Sequence, residues 1–227
     1  MERLKEIERT IIKNYRAKLW APFVKALKEY GLFKENDTIN VIIDGTNGSF
    51  LLAKLFEELK KHSDFEFELN YLAYDLEEIK ANLEILNLKA TIIPLDYKFD
   101  DNLIYALSNN YDDVIETTLK NILFNGVYET ILPKENNIIR PLYLIKYKDI
   151  KNWEKKNELT FIKKILPKDQ MRTKEIIKEL YDYNELVEKN IFRSAENVNA
   201  DKILGFIKDG KNESFLDDYE NKINLGE

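Results

Sequence analysis

The sequence predicts an α/β protein built on a doubly wound, mostly parallel sheet, with helices before the sheet and a helical region after it. Three observations carry this. Short runs of branched apolar residues alternate with amphipathic helical stretches between residues 39 and 126. The first run, INVIIDGTNGS at residues 39–49, passes from a strand straight into a turn of glycine and small polar residues, and a helical pattern follows. That is the layout of a phosphate-binding loop at the first strand of such a sheet. Finally, the flanking regions, residues 1–33 and 146–207, carry apolar residues at helical rather than alternating intervals.

The elements follow in order. In residues 1–33, Leu4, Ile7, Ile11, Ile12, Tyr15, Leu19, Phe23, Leu27 and Tyr30 fall on one helical face. Pro22 divides the stretch into two helices, since proline suits a first turn and disrupts an interior. Gly31 ends the second. Residues 39–43 form a short buried strand, and 50–61 (FLLAKLFEELKK) an amphipathic helix. Strands are expected at 67–73, 90–95 and 103–107, with helices at 76–86 and 114–124, the last stopping near Gly126. Another apolar run covers 138–142. Helices are expected at 148–156, at 174–181 and from 184 toward 206. The boundaries drawn are 1–38 for the N-terminal helices, 39–145 for the α/β core, 146–207 for the helical region and 208–227 for an acidic, loosely held tail.

One connection is short. Parallel strands are normally joined by a crossover of a dozen or more residues. Only residues 96–102 separate the expected third and fourth strands, a reach of roughly 23 to 25 Å when extended. No helix fits there.

Composition narrows the function classes. At 227 residues, with 44% hydrophobic and 33% charged residues, the chain is a globular protein of one domain with appendages. No apolar run reaches the length of a membrane span. The N-terminus MERLKEIERTIIKNY is charged throughout, unlike a secretory signal, so the expected compartment is the cytoplasm. The chain has no cysteine, which excludes disulfides, thiolate ligands and cysteine-held iron–sulfur clusters. With His62 as the one histidine, zinc sites of the usual kind are excluded too, leaving carboxylate metal sites. The net charge is −6, but it is uneven: residues 1–34 hold nine Lys/Arg against four Glu, and residues 146–164 seven Lys against three acids. Local basic faces of this kind can bind phosphate backbones, and a solvated lysine-rich surface has the same pattern.

The segment YDDVIETTLKNILFNGVYETILPKENNIIRPLYLIKYKDI, residues 111–150, is more specific than a generic α/β pattern. Asp112-Asp113, Glu116-Thr117, Asn121, Phe124-Asn125-Gly126, Ile139-Arg140-Pro141-Leu142 and Lys148-Asp149-Ile150 resemble, in order and spacing, the PP-loop ATP pyrophosphatases. The resemblance is strongest to the tRNA 2-thiocytidine synthetases. Asn190-Ile191-Phe192-Arg193 and Asn197-Val198 extend it, so that it covers roughly residues 1–207. It implies an adenine nucleotide α-hydrolase-like fold, tRNA as partner, and adenylation of an anticodon-loop base followed by sulfur transfer.

The family's working residues are largely replaced. Its loop, Ser-Gly-Gly-Lys-Asp-Ser, falls on Asp44, Gly45, Thr46, Asn47, Gly48 and Ser49, keeping only the first glycine and the last serine. Asp44 places a negative charge where the family turns a hydroxyl to phosphate. At about 4 Å, two like charges repel by roughly 4 kcal/mol at an effective dielectric near 20. The second fingerprint, Gly-His-His-x-Asp-Asp, falls on Ser108, Asn109, Asn110, Tyr111, Asp112 and Asp113, with both histidines lost and both aspartates kept. The family's two cysteine motifs would lie at 96–102 and 157–170, where this chain has none. The short crossover is then the place of a missing cysteine-bearing helix.

The resulting expectation is a degenerate tRNA-thiolation-type protein without sulfur transfer: a non-catalytic tRNA- or nucleotide-binding protein, or a partner subunit of an active paralogue or of itself. Its degenerate nucleotide loop would be residues 44–49 with Asp112 and Asp113. Its RNA-binding candidates are Arg140, Lys146, Lys148 and Lys151. No Fe–S cluster and no zinc are expected, and ATP, AMP and Mg²⁺ stay open as cofactors. Two other readings stand beside it. VIIDGTNG also looks like the first strand of metal-dependent RNases, whose gathered carboxylates would be Asp44, Asp112 and Asp113 with Asp75 and Asp96. The other is residual ATP-dependent tRNA modification.

Overall fold

The computed structural model describes residues 2–215. Six strands form one sheet in the order β3-β2-β1-β4-β6-β5. β1 (Thr38–Ile43), β2 (Glu68–Tyr74), β3 (Thr91–Ile93), β4 (Ile104–Ala106) and β6 (Ile138–Ile139) run parallel, and β5 (Lys134–Glu135) is antiparallel to β6. The doubly wound, mostly parallel sheet is therefore present. β1 sits at its centre, aligned with β2 from Thr38↔Glu68 to Ile43↔Ala73 and with β4 from Ile39↔Ile104 to Val41↔Ala106. Its interior residues are buried, as expected for a parallel strand covered on both faces. Across β2, β1 and β4 the Asn70 amide donates to the Asn40 side-chain oxygen, and the Asn40 amide donates to Ile104 O.

Successive strands are placed outward from β1 in both directions. α3 (Asn47–His62) and α4 (Glu77–Ile85) link β1 to β2 and β2 to β3, while α5 (Tyr111–Lys120) follows β4 on the way to β6. Right-handed crossovers then put α3 and α4 on one face and α5 on the other. α3 is buried nearly all round: Phe50, Leu51, Leu52, Ala53, Leu55 and Phe56 are closed to solvent. The sheet covers one side of it. α1 (Glu2–Arg9), α2 (Ala21–Glu29) and α6 (Tyr147–Lys156) share its core through Ile7, Phe23, Ile150 and Trp153. Each such large apolar side chain contributes about 1.5–3 kcal/mol on burial. α7 (Lys168–Tyr183) and α8 (Val187–Ser194) pack on α5.

Several boundaries differ from the sequence expectation. The N-terminal helical run changes register at Tyr15, not at Pro22. Two π turns, Thr10–Asn14 and Arg16–Trp20, flank Tyr15, whose N–H reaches Thr10 O at 2.8 Å. Pro22 lies in the first turn of α2, where a missing N–H costs nothing. The helix expected from 184 toward 206 stops at Ser194, because Asn197 bonds back to Arg193 O and Asn199 caps a short turn at Ala200–Lys202. The segment expected as a loose tail from 208 begins inside a hairpin, β7 (Gly205–Lys208) paired with β8 (Lys211–Ser214). Asp209 and Gly210 turn it with φ of 51° and 71°, the left-handed pair that a two-residue hairpin loop needs. The rest of the expected tail lies outside the described residues. Among the described residues no helix is long and apolar enough to cross a membrane.

The short crossover is real, and the sheet accommodates it. β3 and β4 are shorter than the apolar runs suggested, so the link comprises residues 94–103. It must pass two intervening strands, a lateral distance of about 14 Å, which extended chain of this length spans easily. The link does a helix's work on that face: Tyr97 and Phe99 pack over Ile42, Leu72, Ile93 and Tyr105. Phe99 stacks on Tyr105 with ring centres 4.1 Å apart, and the Tyr105 hydroxyl accepts the Asp100 N–H at 3.0 Å. Removing Phe99 strips most of this cover. Phe99→Ala should lower stability by about 1–3 kcal/mol, read as a lower urea midpoint at an unchanged slope.

Candidate functional site

β1 and β4 are neighbours whose chains leave in opposite directions, so a crevice opens at their carboxyl ends. In open α/β sheets this switch point is where ligands bind. A cleft of about 430 Å³ lies here, between the loop after β1, the loop after β4, α6, α7 and the segment that joins those two helices.

The loop after β1 is held together by its own side chains. Asp44 Oδ1 accepts both the Thr46 N–H (3.0 Å) and the Thr46 hydroxyl (2.7 Å). Thr46 is the N-cap of α3, its Oγ1 taking the Ser49 N–H, and the Ser49 hydroxyl donates to Thr46 O. The Asn47 amide donates to Glu154 of α6 at 2.7 Å. The Thr46 N–H and hydroxyl and the Asn47 side-chain amide are thus already bonded inside the protein, to the Asp44 and Glu154 carboxylates.

The segment after α6 lies across the same loop. Glu158, at φ 50°, closes α6 and reverses the chain. Phe161 then stacks against Phe50 of α3 and Trp153 of α6, with ring centres 5.2 and 6.1 Å away. The Ile162 N–H donates to Gly45 O at 3.0 Å, and the Asn82 amide holds Thr160 O. A Cβ on Gly45 would stand 2.4 Å from Ile162 Cδ1 of this strap, and the φ of 90° at Gly45 strains any larger residue there. Lys163 and Lys164 follow, exposed at the cleft rim.

On the far side, Asn110 and Asp113 form a capping box on α5: Asn110 takes the Asp112 and Asp113 N–H groups, and Asp113 takes the Asn110 N–H at 2.9 Å. Asp112 Oδ2 accepts the Tyr147 N–H at 2.6 Å and so fixes the start of α6. Lys164 lies 3.7 Å from Asp113, and Lys174 3.2 Å from Glu116. Lys151 and Lys174 also stand over the Tyr147 ring. Burial pushes the Asp112 carboxyl up from its ordinary value. The Tyr147 N–H and Lys146 oppose this, while Glu188 and Asp113 add to it. Burial raises Glu116 likewise, against Lys174 and Gln170.

The sequence-derived candidates are placed unequally. Residues 44 and 46–48, with Asp112 and Asp113, do converge on the cleft, as does Lys151. Arg140 does not: it is 9% exposed, its guanidinium bonded to Leu132 O and Glu135, and it ties the turn before α6 to β5. Lys146 points to Glu188 at 2.5 Å and over Tyr111. Lys148 is exposed on α6. Asp75 and Asp96 lie outside the cleft, and among the described residues no group of three His, Cys, Asp or Glu is placed to hold a metal ion. Sequence reasoning missed Glu116, Tyr147, Glu154, Lys163, Lys164 and Lys174. The lysine excess of residues 146–164 was the one signal that pointed to part of this set.

Two outcomes test this geometry. A raised carboxyl means that the folded state prefers the protonated form. Stability is then lost as pH rises from the ordinary value of 3.8 through the raised one. Asp112→Asn keeps an acceptor for Tyr147 without the buried charge, so its stability relative to the unmodified protein should improve between about pH 4 and pH 7 in urea titrations. Phe161→Ala should cost about 3–5 kcal/mol, as a lowered melting transition.

No protein-family model matches the chain. Curated proteins do. The tRNA-cytidine(32) 2-sulfurtransferase of Geotalea uraniireducens is 22% identical, the match covering 79% of this chain and 91% of that one. The tRNA(Ile)-lysidine synthase of Thermosipho africanus is 25% identical over 88% of this chain and 56% of its own. Among solved structures, the U34-tRNA thiolase NcsA from Methanococcus maripaludis with its [4Fe-4S] cluster superposes with a TM-score of 0.60 at 17% identity, covering 78% of this chain and 76% of that one. That neighbour corrects the cofactor expectation, which foresaw no cluster and left ATP, AMP and Mg²⁺ open: a protein of this fold carries a [4Fe-4S] cluster. The present chain has no cysteine to hold one, so the cluster does not fit here, and no cofactor is assigned. The chain is a homologue of the PP-loop tRNA-modifying proteins and resembles the tRNA 2-thiocytidine synthetases among them.

Proposed function

We propose that this chain is a non-catalytic relative of the tRNA-thiolating PP-loop proteins and that it works by binding tRNA. Relatives named for tRNA modification support the RNA partner. The observation that carries the reading is the distribution of charge at the cleft. Its lining holds Asp44, Asp112, Asp113, Glu116 and Glu154 with lysines 151, 163, 164 and 174; Asp113 and Glu116 pair with Lys164 and Lys174, while Lys151 and Lys163 have no carboxylate partner among the described residues. Lys148, Lys151 and Lys155 continue this basic surface along α6 at three- and four-residue intervals, exposed and without a carboxylate partner among the described residues. Such a surface suits a phosphate backbone and not adenylation, which needs a cradle for the polyphosphate. The missing cysteines remove the sulfur carrier as well.

Tyr147 and Leu107, half-buried at the cleft, offer surface against which a base could rest. The metal-dependent RNase reading has less support, since Asp75 and Asp96 stay away from Asp44 and Asp112.

Electrophoretic shift or fluorescence anisotropy with bulk tRNA tests the reading. Retention should weaken steeply with salt, and Lys148→Glu/Lys151→Glu/Lys155→Glu should weaken it at least about tenfold. Incubation with ATP and tRNA should release no pyrophosphate above the blank. Conversion of ATP to AMP and pyrophosphate at an enzymatic rate, on the order of 1 s⁻¹, would sink the non-catalytic reading.

A further inference from the structure

Acids and lysines line the cleft together, but the groups free to meet an anion are unevenly placed. On the loop side, the Asp44 carboxylate takes the Thr46 N–H and hydroxyl, Asn47 is turned to Glu154, and Ile162 is packed against Gly45. An anion arriving there meets a carboxylate, already-bonded donors and an aliphatic side chain. On the opposite side, four lysines come from three separate elements: Lys151 from α6, Lys163 and Lys164 from the strap, and Lys174 from α7. The strap lysines are not on a loose loop. Phe161, two residues earlier, is clamped between Phe50 and Trp153, and the backbone is pinned at Thr160 by Asn82 and at Ile162 by Gly45. Asp113 and Glu116 lean on Lys164 and Lys174, while Lys151 and Lys163 have no carboxylate partner among the described residues.

We infer that the anion-receiving wall of this cleft is the Lys151–Lys163–Lys164–Lys174 side rather than the loop, and that the anion it receives is a phosphodiester of an unpaired RNA segment. The inference rests on the RNA-binding reading above and adds where the backbone runs. Unpaired RNA is favoured because the space of about 430 Å³ admits single nucleotides and not a duplex, and because the half-buried Leu107 and Tyr147 give a base a surface beside the lysines. With the strap fixed by Phe161, its lysines meet a phosphate with little further ordering.

The test is anisotropy titration of the full chain with an unpaired oligoribonucleotide of about ten nucleotides, at several salt concentrations. Lys163→Gln/Lys164→Gln should bind at least about tenfold more weakly, and the slope of log affinity against log salt should be shallower by about 1.4, two phosphate contacts at about 0.7 each. Lys151→Gln, on the surface of a stable helix, should weaken binding about threefold or more and reduce the slope by about 0.7. A control pair on the far surface, Lys5→Gln/Lys89→Gln, should change neither. Asp44→Asn separates the walls: it should leave affinity within about threefold, because the phosphate does not approach the loop, whereas a loop-bound phosphate would bind more than about tenfold tighter once that charge is gone.

If the native chain binds the oligonucleotide and the strap and α6 lysines are indifferent, the placement fails while RNA binding stands. A strong gain in Asp44→Asn overturns the placement as well. If the native chain binds neither this RNA nor tRNA, both readings fall.

Discussion

The cleft depends on one constraint, the parallel pairing of β1 on both of its edges with strands whose onward connections diverge. Parallel strands cannot be joined by a hairpin, so each must be followed by a crossover. Where the winding direction reverses, the helix after β1 and the helix after β4 separate, and a gap is left between their N-termini. Burial holds this arrangement in place: β1 and most of α3 are closed to solvent, which makes the position of the loop between them a consequence of the core rather than of the loop's own preferences.

Within that gap the chain has used its own groups where a ligand's could stand. Asp44 supplies the negative charge at the start of α3, Thr46 caps the helix, and Ile162 covers Gly45. Each contact removes a donor or a space from the loop. The acids that begin α5 are likewise engaged, Asp113 in its capping box and Asp112 on the Tyr147 N–H. A helix that begins with two aspartates is well served electrostatically by them, and here they also hold α5 and α6 together. Of the lysines at the cleft, Lys164 and Lys174 are paired with Asp113 and Glu116, and Lys151 and Lys163 have no carboxylate partner among the described residues.

The two stretches where the resemblance placed cysteine motifs take different forms. At residues 94–103 the chain crosses the sheet without a helix, and aromatic side chains, Tyr97 and Phe99, cover the apolar face that a helix would otherwise bury. At residues 157–167 the chain becomes a strap whose Phe161 joins the main core. In both stretches a few large rings cover apolar surface, and such rings bury much area per residue at a small cost in side-chain freedom.

The sequence by itself determined the class of the sheet, its order of strand and helix, the kinship carried by residues 111–150, and the absence of any thiolate chemistry. These depend on periodicity, on local turn residues and on residue identity, all of which are present in the one-dimensional record. It also located the loop at 44–49 and the lysine excess at 146–164. It did not separate Arg140, which is drawn inside by Leu132 O and Glu135, from Lys148 and Lys151, which stay outside. Nor could it bring Phe161 to Phe50 or Lys174 to Glu116, contacts between residues far apart in the chain. Tertiary structure alone decided those. Whether a charged side chain faces solvent or a buried partner depends on where distant segments pack, and that is settled by the shared core and not by any local pattern.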